Sequence, residues 1–168
     1  MSYAISIETF DASYAELEPL YRQHYAEMQA RLAAESVEVA SYNPRLDEYR
    51  KASSGGWLFT FVLRCDGKAV GYSNIYITND MHNGERIAQE DTIYVLQEHR
   101  RFAGRMLIKA VHAELKKRGV KRLNVTTMTD LRVSKLLQRM GYKHTAHHMT
   151  LTFGESNVLV KPVAAARA

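Results

Sequence analysis

The chain has 168 residues, 46% of them hydrophobic and 24% charged, with a formal net charge of +5; that is enough to bury one core and too little for two domains. No apolar run approaches the roughly 20 residues of a bilayer-crossing helix, and the N-terminus lacks the basic-then-apolar layout of a secretory signal, so a cytoplasmic protein is expected. Cys65 is the only cysteine, which excludes an internal disulfide and a cysteine metal cage.

Ala4 to Thr9 alternates apolar and polar residues and reads as a short strand, after which Asp11 or Ser13 can cap a helix. Leu17, Leu20, Tyr21, Tyr25, Met28 and Leu32 recur at spacings of three and four, so a helix over 14–34 carries one stripe towards a core. Ser41 to Pro44 breaks the pattern, a short helix is expected around 46–51, and Ser53 to Gly56 reads as a loop. Trp57 to Cys65 and Ala69 to Thr78 are β-rich runs joined by Asp66-Gly67, a hairpin signal. A second turn at Asn83-Gly84 leads into a third strand over 86–96. Phe102 to Arg118 has Leu107, Ile108, Val111 and Leu115 on one helical face and ends at Gly119. A strand over 122–127, a helix over 131–140 ended by Gly141, an alternating strand over 143–153 and a short strand at 158–160 complete the chain. The order predicts an α/β (α+β) domain: one mixed, mostly antiparallel sheet with helices on both faces and a central βαβ unit.

The segment from Tyr94 to Gly119 carries the chemistry. A strand passes through a basic turn into a helix, and the first amides of a helix lack intrahelical partners and carry the positive end of its dipole. Ala103-Gly104 is small enough to let a phosphate approach. Arg100, Arg101 and Arg105 can add charge-assisted hydrogen bonds.

These residues resemble the GNAT acetyltransferases. That family pairs a strand ending V-x-P-x-x-R with a turn R/Q-x-x-G-x-G/A and a helix ending near glycine. Here Val95, Gln97 in place of proline, Arg100, Gly104, Leu107-Ile108 and Gly119 follow in that order. The later N-x-x-A-x-x-L-Y-x-x-x-G-F helix is matched by Asp130, Val133, Leu136, Leu137, Gly141 and Tyr142. Small GNAT proteins, often phage-encoded, look similar through an E-D-x-x-Y-V strand, matched by Glu90 to Val95. The phosphate turn is one residue shorter than the common form.

The resemblance implies one GNAT domain over 1–168, with acceptor-side helices at about 11–54 and an acetyl-CoA-binding core at about 86–142. It implies direct transfer of the acetyl group from acetyl-CoA to a primary amine, on a small molecule or a protein. Acetyl-CoA contacts are implied for Tyr94, Val95, Leu96, Arg100, Arg101, Phe102, Ala103, Gly104, Arg105, Asp130, Ser134 and Leu137. The family's base is commonly a carboxylate on the strand before the turn, which leaves Glu90 and Asp91 as alternatives. Strand alternation puts them on opposite faces, and a bulge of the kind common in the family would swap those faces. A backbone N–H near Val95 is placed to receive charge on the carbonyl oxygen. The family's tyrosine acid falls at Leu137, so Tyr142 or Tyr94 stands in for it, or solvent protonates the thiolate, or the chain is a GNAT-fold CoA-binding protein without efficient turnover that acts through protein partners.

Nine acids against four arginines through Arg50 leave that stretch at −5 and the remainder at +10. Glu35, Glu38, Asp47 and Glu48, with Tyr42 and Tyr49, fall where the family forms its acceptor cleft, and His147 on a final strand can border it; a cationic acceptor is therefore expected. The basic run from Lys116 to Arg122 lacks interleaved aromatics and reads as a helix terminus with solvated charge rather than a nucleic-acid site. His144 and His148 on one strand would lie roughly 13 Å apart, so no metal site is expected. Edge strands of a mixed sheet admit a homodimer.

Overall fold

In the computed structural model, which describes residues 1–100, 102–127 and 131–153, five strands form one sheet in sequence order. β1 (Tyr3–Glu8), β2 (Leu58–Cys65), β3 (Lys68–Asn79) and β4 (Arg86–Val95) pair antiparallel, and β5 (Arg122–Asn124) lies parallel to β4. α1 (Phe10–Ala33) and α2 (Leu46–Ser54) separate β1 from β2. α3 (Ala103–Lys117) is the crossover between β4 and β5, and α4 (Leu131–Arg139) follows β5. The mixed sheet is the one the element order predicts.

Local chemistry explains the elements. Thr9 caps α1, its side chain accepting from the Ala12 amide, so the helix starts before the predicted Asp11 or Ser13 cap. Ser13 is instead buried, its hydroxyl turned back to the Thr9 carbonyl. α2 runs three residues past its predicted end, and only Gly55 and Gly56 of the expected loop remain outside it. Asp66 (φ 48°) and Gly67 (φ 82°) both adopt the left-handed conformation that a tight two-residue hairpin requires.

Two cores flank the sheet. On one face α3 sets Ala103, Leu107, Val111 and Leu115 against Phe61, Leu63, Ile75, Ile77 and Val95. On the other, α1 and α2 cover Val62, Tyr72 and Tyr94 with Phe10, Leu17, Leu20, Tyr21 and Ala52. Complete burial of a Leu, Phe or Tyr side chain contributes about 1.5–3 kcal/mol, so these layers fix the sheet that carries the site.

Two expectations fail. β5 stops at Asn124 instead of Thr127. No strand forms over 143–153, and Met149, Leu151 and Phe153 stand exposed; alternation makes a strand only where a neighbouring strand takes its backbone hydrogen bonds and one face is buried. The strand expected at 158–160 lies outside the described residues.

Candidate active site

β4 is the centre of the site because it changes neighbours and register within ten residues. Asn74 of β3 pairs with Thr92 and Ile75 with Glu90, which leaves Asp91 as the extra residue of a bulge. Without it, Glu90 would share a face with Thr92 and Tyr94. With it, Glu90 joins Ile93 on the α3 side, while Asp91 and Thr92 line the α1–α2 side.

At the same point the sheet opens. β5 pairs with β4 only through Ile87, Ala88 and Gln89, so beyond Gln89 the β5-facing edge of β4 has no strand partner among the described residues. The Leu96 amide donates to the Val70 carbonyl beside β3. Alternation then turns the Ile93 and Val95 amides towards the open edge. A single 3-10 turn at Gln97–His99 leads from this edge to α3.

The start of α3 has no side-chain cap and no acid in its first turn, so the amides of Ala103, Gly104 and Arg105 keep their donors and the dipole's positive end is uncompensated. A Cβ built on Gly104 would meet nothing within 4 Å. Phe102 is exposed beside this turn, Ala103 is buried and Arg105 is exposed. Arg101 and Asp130 lie outside the described residues.

Arg100 is engaged inward. Its Nε donates to the Val95 carbonyl at 2.8 Å and one Nη to both oxygens of Glu27 at 2.8 and 2.7 Å. The Tyr94 hydroxyl donates to the same carboxylate at 2.8 Å, and the guanidinium lies 5.3 Å from the Tyr94 ring centroid. Glu27 thus ties α1 to the end of β4 and to the turn. Nothing in the sequence signalled it, since its partners lie 67 and 73 residues away.

On the α3 side, Glu90 is 8% exposed and accepts from the Thr126 amide at 3.2 Å. Burial pushes its carboxyl up to about 7, the Thr126 hydrogen bond opposes this, and the charge of Asp91 adds to it. Tyr142 borders the same cavity with Leu137, Val133 and Ile93. Its hydroxyl lies 2.5 Å from His112 Nε2, and burial raises it to about 12. Ser134 lies half-buried on α4, whereas Leu137 is buried.

On the α1–α2 side, a cavity of about 240 Å³ opens between α1, α2 and β4. Tyr14, Tyr21, Tyr42, Tyr49 and Tyr72 are among its walls, and Asp91 is its carboxylate. The Tyr49 hydroxyl donates to Asp91 Oδ2 at 3.0 Å, and desolvation by these rings pushes the Asp91 carboxyl above its usual range. His24, stacked on Tyr94 at 5.1 Å, is lowered by burial to about 4 and is neutral at pH 7. Tyr25 and Met28, which read in sequence as part of a core stripe, are walls of this cavity.

The remaining sequence candidates stand apart. Glu35 is exposed and paired to Arg31 at 2.7 Å, Glu38 is exposed, and His147 is exposed with its ring against His144. Of the acceptor candidates, Tyr42 and Tyr49 line the cavity, and Glu35, Glu38, Asp47, Glu48 and His147 are not among its walls. The basic run is occupied structurally: Arg118 pairs with Glu114 and covers Phe59, and Arg122 pairs with Asp80. Among the described residues no group of three or more His, Cys, Asp or Glu could hold a metal ion, and no helix is long and apolar enough to cross a membrane.

Comparison with known proteins gives one family match and many structural ones. The family model described as acetyltransferase (GNAT) matches residues 14–142. No curated protein matches. A ribosomal-protein-alanine N-acetyltransferase from Brucella melitensis biovar Abortus 2308 superposes with a TM-score of 0.69 at 18% identity, covering 91% of this chain and 100% of its own. An aminoglycoside acetyltransferase from an uncultured soil metagenomic sample gives 0.70 at 16%, covering 92% and 100%. A second such soil enzyme, in complex with sisomicin, gives 0.65 at 16%, covering 90% and 97%. At these identities the likeness is one of fold.

Proposed function

The chain belongs to the acetyltransferase (GNAT) family of acetyl-CoA-dependent N-acetyltransferases, and from that membership we propose that it acts as one domain to acetylate a primary amine entering between α1, α2 and β4. The observation that carries the reading is the bulge at Asp91, which sets Glu90 and Asp91 on opposite faces of β4 where β5 leaves it.

The described residues fit acetyl-CoA on three counts. The uncapped, acid-free start of α3 suits a diphosphate. Open space at Gly104 lets the diphosphate approach the backbone. The free β4 edge offers the Ile93 and Val95 amides to a pantetheine arm. Tyr94 and Arg100 then act through Glu27, holding the turn in place, while Arg105 is free to meet phosphate; Leu96, Phe102 and Ala103 shape the turn. Leu137 and Ser134 of α4, with Arg101 and Asp130, complete the proposed contacts.

Acetyl-CoA, when bound, supplies the acyl carbon and a thiolate leaving group. Asp91 faces the incoming ammonium and orients it. One ammonium proton passes to Glu90 on the other face through water at the edge of β4 that β5 leaves open, and the raised pKa of Glu90 suits a base working near neutrality. The amine nitrogen forms the C–N bond, the C–S bond breaks, and the amine's second proton ends on sulfur by way of the Tyr142 hydroxyl. An edge amide of β4, that of Val95, is placed to hydrogen-bond the carbonyl oxygen. Tyr142 beside Glu90 supplies the phenol that Leu137 lacks.

Incubation with acetyl-CoA and a panel of amines, read by mass, tests the reading. A gain of one acetyl on an amine, lost in Glu90→Gln, is expected. Acetylation that survives Glu90→Gln unchanged would remove Glu90 from the base role.

A further inference from the structure

The α1–α2 cavity has a composition that selects among amines, and what it selects can be worked out if the acetyltransferase reading above holds. Ring faces carry a negative quadrupole and attract cations within about 6 Å of their centroids, by about 0.5 kcal/mol when exposed and 2 or more when desolvated. Tyr14, Tyr21, Tyr25, Tyr42, Tyr49 and Tyr72 bring six tyrosine rings to one carboxylate, Asp91, with one face of Tyr14 and one of Tyr49 already stacked on Phe10. One of these rings already serves this way: the Arg22 guanidinium lies 5.0 Å from the Tyr42 centroid.

The other polar groups are mostly spoken for. Tyr21 accepts from Asn74, Tyr72 is in hydrogen-bond contact with His24, and Tyr49 donates to Asp91. Thr92 Oγ1, a buried oxygen at the cavity wall, has the Tyr72 hydroxyl beside it. Asp91 and the rings therefore call for a group that carries positive charge and tolerates apolar walls.

Size narrows the choice. A dry cavity of roughly 150 Å³ holds benzene; this one, at about 240 Å³, has room for one ring or a compact alkyl body plus a short aminoalkyl arm. Only one ammonium of an acceptor can meet an ionic partner here, since Asp91 is the only carboxylate lining the cavity among the described residues. Glu35 and Glu38, which would attract further charges, are not among its walls.

We propose that the cavity is the acceptor subsite and that it takes a small monoamine with an apolar or aromatic body, its ammonium held by Asp91 and its body packed among the tyrosine rings. The charge pattern of the sequence pointed only to a cationic acceptor. The subsite rests on the transferase reading for its role but not for its ligand chemistry.

Binding and turnover are therefore measured separately. Calorimetry compares (2-phenylethyl)trimethylammonium, which has no N–H to acetylate, with neutral 2-phenylethanol and with spermidine. The quaternary probe is expected to bind at least 10-fold tighter than either. Asp91→Asn should weaken it about 10-fold, and Tyr42→Leu about 3-fold or more. Both variants should leave 2-phenylethanol within twofold; Tyr49→Phe, which removes only one hydroxyl, keeps the test open if either fails to fold. Equal binding of the alcohol and the ammonium overturns cation recognition. Tighter binding or faster acetylation of spermidine overturns the monoamine assignment and leaves the transferase reading intact. Charge-dependent binding of the probe with no acetylation of 2-phenylethylamine supports the subsite and counts against that reading.

Discussion

Replacing Glu90 by Gln should change how stability depends on pH, by an amount the structure sets. Glu90 is held at about 7 in the folded protein against an ordinary 4.5, chiefly by burial. A carboxyl raised on folding binds more protons folded than unfolded between those values, so it costs stability as pH rises. Its penalty is absent below about 4.5, grows through the window and is complete above about 7. At about 1.4 kcal/mol per pH unit the full penalty is about 3 kcal/mol. The side chain is only 8% exposed, so solvent screening removes little of it. Gln at position 90 cannot ionise. It pays a constant cost for its buried NH2, about 1–3 kcal/mol, at every pH. The comparison therefore lies in the difference between two curves. Urea denaturation from pH 4.5 to 8 should show the wild type losing up to about 3 kcal/mol relative to Glu90→Gln, or about 6–12 °C in Tm for a chain of this size. Parallel curves would refute the claim that Glu90 is buried with a raised pKa, and with it the basis for calling it the base.

The same residue predicts a pH profile: kcat/KM should rise about tenfold per pH unit below about 7 and level above it, and Glu90→Gln should lose about 10²-fold or more at pH 8. Gly104→Asp places an acid at an uncapped helix start, so apo stability should hold or rise slightly, while the thermal shift given by acetyl-CoA should vanish. Gly71→Val should cost about 2 kcal/mol in urea denaturation, because even a Cβ there would stand 2.7 Å from the Tyr94 carbonyl, and acetyl-CoA affinity should drop with the displaced β4 edge. Glu27→Gln leaves Arg100 without its counter-ion; the pair is about 30% exposed, so the loss should be about 1–2 kcal/mol, below that of a fully buried pair.

What the sequence disclosed follows from periodicity. The hairpin was legible because Asp66-Gly67 can take two left-handed residues, and α3 because Leu107, Val111 and Leu115 repeat at helical spacing before Gly119. The bulge was not, because a period-two pattern does not say where a residue is skipped; that residue decided which faces Glu90 and Asp91 occupy. Tyr25 and Met28 read as core because an apolar stripe looks the same whether it covers a core or walls a cavity. The contacts of Glu27 with Tyr94 and Arg100, and of Thr126 with Glu90, are closed by the tertiary fold and left no local trace. Alternating residues over 143–153 suggested a strand, but alternation supplies no hydrogen-bonding neighbour.

We propose that this β4 edge and α3 turn hold acetyl-CoA while Glu90 deprotonates an amine on the bulge. The most direct test is simultaneous measurement of thiol release and amine acetylation with acetyl-CoA and 2-phenylethylamine across pH 5–9. Free CoA and N-acetylated amine are expected in equal amounts, with a rate that reaches a plateau at about pH 7 in the wild type and that in Glu90→Gln lacks this plateau and is at least 10²-fold lower at pH 8. Bound acetyl-CoA that releases no thiol to any amine, or a profile unchanged by Glu90→Gln, would contradict this proposal.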